Sequence, residues 1–239
     1  IDPSITYIKG NNRHSLRTRF LNVTNNNLTN GVDVGQSNSA KTYYSDYQWQ
    51  KKLEKHNLTA TLGTTNEIVY ARSDLFNGNT SRKNNSLYTQ LDKKHRRLNI
   101  SLGARYEIFN LSSEDKYLID GESINNITAG KPVFRTGLNY QLAEATYIRT
   151  SWGQGYRFPS MAELFIRTTQ SGLEIYPNPN LKPESGWSSE IGIKQGLKLG
   201  NWMGYIDLAA FLMQYDDMME FSFGRWAESR GDTNFYGLG

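Results

Sequence analysis

The sequence predicts an all-β chain, a transmembrane antiparallel β-barrel, on three observations. Residues 98–108 alternate: Leu98, Ile100, Leu102, Ala104, Tyr106 and Ile108 fall on one face, and Asn99, Ser101, Gly103, Arg105 and Glu107 on the other. A stretch of that length tilted near 45° projects roughly 25 Å, the height of an outer-membrane apolar band, whereas soluble strands run about 5 to 6 residues. Second, short turns alternate with long polar loops along the chain. Third, aromatics reach 13% with Tyr foremost, while mean hydropathy is negative, which suits strands with one apolar and one wet face.

The spacing predicts about eleven strands, near 3–9, 13–24, 40–52, 56–68, 84–93, 96–110, 132–142, 145–156, 185–198, 202–216 and 218–224. Short turns fall at Gly10 to Asn12, Leu53 to Lys55, Lys94 to His95, Ala143 to Glu144 and Leu199 to Asn201. Long polar loops are expected around 25–39, 69–83, 111–131 and 157–184. Turns on one side and long loops on the other is the asymmetry of a bacterial outer-membrane barrel. A soluble sandwich or propeller, the alternative, predicts shorter strands and no such asymmetry.

No apolar run approaches the 18 or so residues of a transmembrane helix, a test that barrel strands escape. The chain has no Cys, which removes disulfides, Cys-zinc sites and thiol nucleophiles. A net charge of +4, spread along the chain, gives no footprint for nucleic acid. His14, His56 and His95 have no metal-binding spacing, and no acid, base and nucleophile converge in the sequence. No cofactor, metal or enzymatic activity is therefore expected.

Three smaller features read as background. The basic run Lys93, Lys94, His95, Arg96 and Arg97 falls on a tight turn and reads as a solvated turn near headgroups. Asn22-Val23-Thr24, Asn57-Leu58-Thr59 and Asn126-Ile127-Thr128 match glycosylation acceptors by chance. Ile1 opens in a strand-like segment and Gly239 is no aromatic strand end, so residues 1–239 are expected to be one partial barrel domain.

The charged residues set the facing. Arg17, Arg19, Arg105, Glu107, Arg149, Glu190 and Asp207 are expected to point into the lumen, because a cation on the lipid face near the midplane costs about 2 to 4 kcal/mol. Leu102→Arg is accordingly expected to abolish folding in bilayers, and Arg105→Leu to be tolerated. Gly153 and Gly155, on the face of Arg149, either make room in the interior or ease barrel curvature.

The segment Gly155, Arg157, Pro159, Glu163, Leu164, then Asn178 to Glu184, then Glu190 and Gly192, resembles the barrel of TonB-dependent receptors, with their G-x-R-x-P, E-L, N-P-x-L-x-P-E and E-x-G pieces in that order. The ordered set spans 38 residues, from Gly155 to Gly192, and Tyr215 to Met218 and the polar start Gly10 to His14 are also similar. The resemblance implies a 22-stranded barrel in the bacterial outer membrane, plugged by an N-terminal domain. It implies energised uptake of a scarce nutrient, a ferric siderophore or similar iron complex, with haem or cobalamin as further members of the class. The implied partners are TonB with its inner-membrane motor, membrane lipid and lipopolysaccharide, the small-molecule ligand and a surface lipoprotein. A passive pore or structural barrel subunit is the alternative. On loop 157–184, Arg157, Glu163, Tyr176 and Glu184 are candidates for ligand capture, or for a gate.

Overall fold

The computed structural model describes residues 1–33, 37–73, 78–119, 122–166, 168–170, 173–175, 178 and 180–219. Ten long strands form one antiparallel sheet: β1 (Ser4–Lys9), β2 (Asn12–Asn25), β5 (Asn38–Leu53), β6 (Leu58–Ser73), β7 (Gly78–His95), β8 (Leu98–Ile119), β9 (Glu122–Ala143), β10 (Thr146–Arg157), β13 (Glu184–Leu199) and β14 (Trp202–Asp216). Each pairs with its neighbour in sequence, and β1 and β14 form the two open edges. Between them lie two small hairpins, β3 (Leu28–Thr29) with β4 (Val32–Asp33) and β11 (Thr168–Gln170) with β12 (Leu173–Ile175), a 3-10 turn (Glu54–His56) and helix α1 (Met161–Phe165).

Every connection at one end is tight. Gly10 (φ 55°), Asn57 (φ 45°), Arg96 (φ 52°) and Gly200 (φ 58°) take the left-handed conformation that closes four of these turns with the twist of the flanking strands. Arg96 and Arg97 thus occupy the two-residue turn between the paired His95 and Leu98.

Strand length differs from the expectation at the opposite end. The loops expected around 69–83 and 111–131 are largely strand: β6 and β7 pair from Leu58–Lys93 up to Ser73–Gly78, and β8 and β9 pair up to Ile119–Glu122. Apolar alternation is demanded only where one face meets lipid, whereas the backbone ladder continues as long as its hydrogen bonds have partners. The strand expected at 218–224 is not seen at Met218 and Met219, and its remainder lies outside the described residues.

The two faces have opposite chemistry. On one, Leu102 (50% exposed), Tyr106, Ile108, Phe134, Leu138, Ile191, Leu208 and Leu212 are open to the surroundings, an apolar surface far too wide for a soluble monomer. Rings flank it: Phe20, Tyr43 and Tyr70 meet at centroid distances of 5.1 and 6.4 Å towards the long-strand end. Tyr7, His14, Tyr47 and Trp49 cluster towards the tight turns, with His14 Nδ1 2.8 Å from the Tyr47 hydroxyl. Apolar band and ring borders together match a barrel wall. Above the band this face turns polar, where Asn110 donates to both Asn126 and Thr128 at 2.8 Å.

The small buried core sits on the other face, at the long-strand end. Phe109 and Leu111 of β8 pack with Met161, Leu164 and Phe165 of α1, bordered by Val69, Ala71, Ile127, Phe158 and Leu181. Phe109 stacks on Phe158 at 4.5 Å, and the Thr80 hydroxyl donates to Met161 Sδ at 2.9 Å.

Candidate functional site

Register fixes which side chains share the polar face, because directly paired residues of an antiparallel ladder point the same way. Arg17 pairs with Asp46, Asp46 with Thr65, Thr65 with Ser86, and Ser86 with Glu107. Arg19 and Arg105 lie two residues from members of that row. Further along, Arg149 pairs with Asn139 and Gly192, and Gly192 with Ala209, which puts Arg149, Glu190 and Asp207 on the same face. All seven charged residues singled out in the sequence therefore share one side of the sheet, the side that carries α1.

Most are ion-paired, Arg149 across strands. Arg19 holds Asp2 through two bonds of 2.9 Å. Arg149 bridges Glu190 at 2.9 Å and Asp207 at 2.6 Å. Arg105 lies against Glu107 at 2.6 Å, and only 8% of the Glu107 side chain is exposed. Arg17 stands beside Asp46 in register, with no ion pair among the described residues. Arg82 with Glu67, at 2.8 Å, is a further pair that the sequence reading missed.

These pairs sit inside a wider network. Tyr88 donates to Asp46 at 3.0 Å, Thr65 and Ser86 hydroxyls meet at 2.6 Å, and Arg105 reaches Thr65 at 3.4 Å. The Tyr156 hydroxyl lies close to Glu107 and Arg105. Removing Arg105 would leave Glu107 largely shut from water with a neutral hydroxyl as its partner. The expected tolerance of Arg105→Leu therefore gives way to a loss of about 2 kcal/mol, discounted from the cost of a fully buried pair because Arg105 is itself partly exposed. Urea unfolding in lipid vesicles measures it, and Arg105→Leu with Glu107→Leu should recover part of the loss.

Glycine makes room for these long side chains. A Cβ at Gly63 would lie 2.2 Å from the Tyr88 ring, one at Gly192 2.9 Å from the Arg149 guanidinium, and one at Gly103 3.0 Å from Arg135. The space over Gly155 is open instead, and over Gly153 a Cβ would meet only Arg135. Together with Gly137, Gly186, Ser188 and Tyr215 they line a depression of about 620 Å³.

At the rim of that depression Arg157 joins two carboxylates. It contacts Glu163 of α1 at 2.8 and 2.9 Å and Glu184 of β13 at 2.7 and 2.8 Å, while the Met219 amide donates to Glu184 at 2.7 Å. The pattern Ser160-x-x-Glu163 before Leu164 and Phe165 is a capping box: Glu163 N–H donates to the Ser160 hydroxyl at 3.2 Å, and Ser160 N–H donates to the Glu163 carboxylate at 2.7 Å. That signal, present in the sequence, is what would have placed a helix within loop 157–184. Tyr176 lies outside the described residues.

Partial burial pushes the Glu163 carboxyl up, but the hydrogen bonds from Ser160 and the Arg157 guanidinium outweigh it and hold the group below its ordinary value. A depressed carboxylate contributes stability above its unfolded pKa and loses it as pH falls through the folded one. Docking of α1 should thus be constant near neutrality and weaken below about pH 4. A nitroxide on Ala162→Cys should be immobile at pH 7 and gain mobility only on such acidification; release already at pH 6 would contradict this assignment.

Among the described residues no three His, Cys, Asp or Glu side chains cluster as metal ligands. The basic run is engaged at its turn, where Lys93 donates to the His56 carbonyl.

A model of the family described as TonB dependent receptor-like, beta-barrel, matches residues 2–238. The chain belongs to the TonB-dependent receptor β-barrel family. Solved receptors show the same fold. A double mutant of the Serratia marcescens hemophore receptor HasR, in complex with its hemophore HasA and heme, is 17% identical, with a TM-score of 0.60 over 88% of this chain and 41% of that one. The FrpB iron transporter of Neisseria meningitidis, apoprotein form, is 12% identical, with a TM-score of 0.67 over 92% and 38%. The ferric-catecholate import receptor Fiu from E. coli K12 is 12% identical, with a TM-score of 0.63 over 93% and 41%. No curated protein sequence matches the chain. The chain spans roughly two-fifths of these receptors' length. TonB-dependent receptors are transporters of the Gram-negative outer membrane rather than enzymes, and work with TonB.

Proposed function

We propose that this chain is part of the wall of an outer-membrane transporter that takes up a ferric siderophore or similar iron complex, with energy delivered through TonB. The observation that carries the reading is the division of the sheet into an apolar face bordered by rings and a polar face laced with ion pairs. The apolar face meets acyl chains. The polar face, with Arg17, Arg19, Arg105, Glu107, Arg149, Glu190 and Asp207, lines the lumen and contacts plug and water. Further strands complete the cylinder and an N-terminal plug closes it.

Arg157, Glu163 and Glu184 bind one another, so in this reading they hold the mouth in shape, and ligand contact falls to the open depression beside Gly155 and to the rest of loop 157–184. Family relatives with iron and haem cargo support the substrate class. Ligand co-purified with the intact receptor from its native membrane should be identified by mass spectrometry, and uptake of that compound should stop when TonB is deleted. Uptake that persists without TonB would replace this reading with a passive pore.

A further inference from the structure

Arg19, Arg82, Arg105, Arg149 and Arg157, on the polar face and its rim, each hold a carboxylate. Arg135 does not. It shares that face, paired in register with Gly103 of β8 and Gly153 of β10, and among the described residues its guanidinium makes no hydrogen bond or ion pair. Two carboxylates in this part of the wall are already engaged: Asp46 accepts from Tyr88 at 3.0 Å, and Glu107 lies against Arg105 at 2.6 Å. A Cβ at Gly103 would come within 3.0 Å of Arg135 Cγ, so the arginine stem lies over the space that this glycine leaves.

Arg135 also borders the depression of about 620 Å³ that runs from Ser101 and Gly137 to the rim at Arg157 and Glu184. Along β10, from Ser151 to Arg157, that is about 20 Å of wall, and the volume lies within the range of small-ligand sites. Two cations line it among the described residues. Arg157 is saturated by Glu163 and Glu184, which leaves Arg135 as the cation free to take an anion. A guanidinium offers a planar fork of N–H donors that meets a carboxylate through two parallel bonds. A concave wall also concentrates counter-ions at such a charge.

We infer that Arg135 is the anion contact of a ligand groove on the arc of wall formed by β9, β10 and β13, and that the ligand it takes is a ferric chelate presenting a carboxylate. The inference deepens the uptake reading above and rests on its facing. Ferric iron is a hard cation held by oxygen donors, and a carboxylate chelate of it leaves negative charge at its surface. Such a ligand, entering past Arg157, meets its next free cation about 13 Å further down the wall, four residues along β10 at the level of Gly153.

The full-length receptor with Ser188→Cys as its only cysteine tests it. Ser188 stands in the row Arg135, Gly153, Ser188, about 10 Å from Arg135 across two strand spacings. Its rates of modification by an anionic sulfonatoethyl and a cationic trimethylammonioethyl methanethiosulfonate form a ratio in which any change in thiol ionisation cancels. R135Q should lower the anionic-to-cationic ratio roughly tenfold, and R135K should keep it. Millimolar ferric citrate, the carboxylate chelate used as probe, should slow the anionic reagent on the S188C parent and not on R135Q at constant ionic strength. A ratio indifferent to R135Q overturns the inference, as does absence of protection by ferric citrate. A thiol that no reagent reaches before unfolding would show Arg135 covered by the plug and overturns it equally. In these outcomes the facing stands. Modification of the folded receptor by an apolar maleimide alone would put Ser188 among acyl chains and sink the facing as well.

Discussion

Leu102→Arg should destabilise the barrel by about 2 to 4 kcal/mol and prevent recovery of folded protein from bilayers. Leu102 lies on β8 near the middle of the sheet, half exposed, paired with Leu91 and Thr136 on the apolar face. It stands mid-way along the alternating run 98–108, too far from either border for a guanidinium to reach headgroups easily. The matched substitution is Ser188→Arg on the opposite face, beside the open space over Gly155 and paired with Gly153 and Met213. That arginine enters a wet surface already lined by Arg149 and Arg157, and should change stability by less than about 1 kcal/mol. Urea titration in vesicles, with gel mobility before and after heating as the folding assay, gives both values.

Leu164→Ala should be the other large effect, local rather than global. Leu164 is 1% exposed and packs α1 onto Phe109 and Leu111. Truncating a leucine buried to that degree costs about 3 kcal/mol through lost transfer energy and a residual cavity. A helix of five residues has no intrinsic stability to absorb such a loss. The amides of Leu164 and Ile166, which donate to the Ser160 and Ala162 carbonyls, should therefore exchange with solvent on the order of a hundredfold faster, while those of β8 keep their protection. Unchanged exchange would mean that the capping box and Arg157 hold the segment without the apolar contact.

The wall was legible in the sequence because alternation is enforced residue by residue. Leu98 to Ile108 could be assigned to faces, and four of the five short turns located, from polarity and local sequence; the turn expected at Lys94 to His95 falls instead at Arg96 and Arg97, because the ladder runs on to the His95–Leu98 pair. The tops of β6 to β9 were not legible: Asn79 to Asn84, Asn110 to Ser112 and Asn126 to Thr128 have lost the apolar face that marks a strand, yet their ladder continues. At Phe109 and Leu111 the apolar residues change sides, since there α1 rather than lipid covers them. Nor could partners be read for the charges. Arg149 meets Glu190 and Asp207, 41 and 58 residues away, only because register brings β10, β13 and β14 side by side. The helix was different: its capping box lies in plain view at Ser160 to Glu163, hidden by the prolines around it rather than by any long-range contact.

The chain contains no cysteine, so single Cys substitutions can carry a nitroxide through residues 98–108 of the intact receptor in bilayers. Collision with oxygen dissolved among the acyl chains should peak at 98, 100, 102, 104, 106 and 108 and fall at the residues between. The same profile with its maxima at 99, 101, 103, 105 and 107, or without any two-residue period, would contradict the assignment of the apolar face to lipid and of the ion-paired face to the interior.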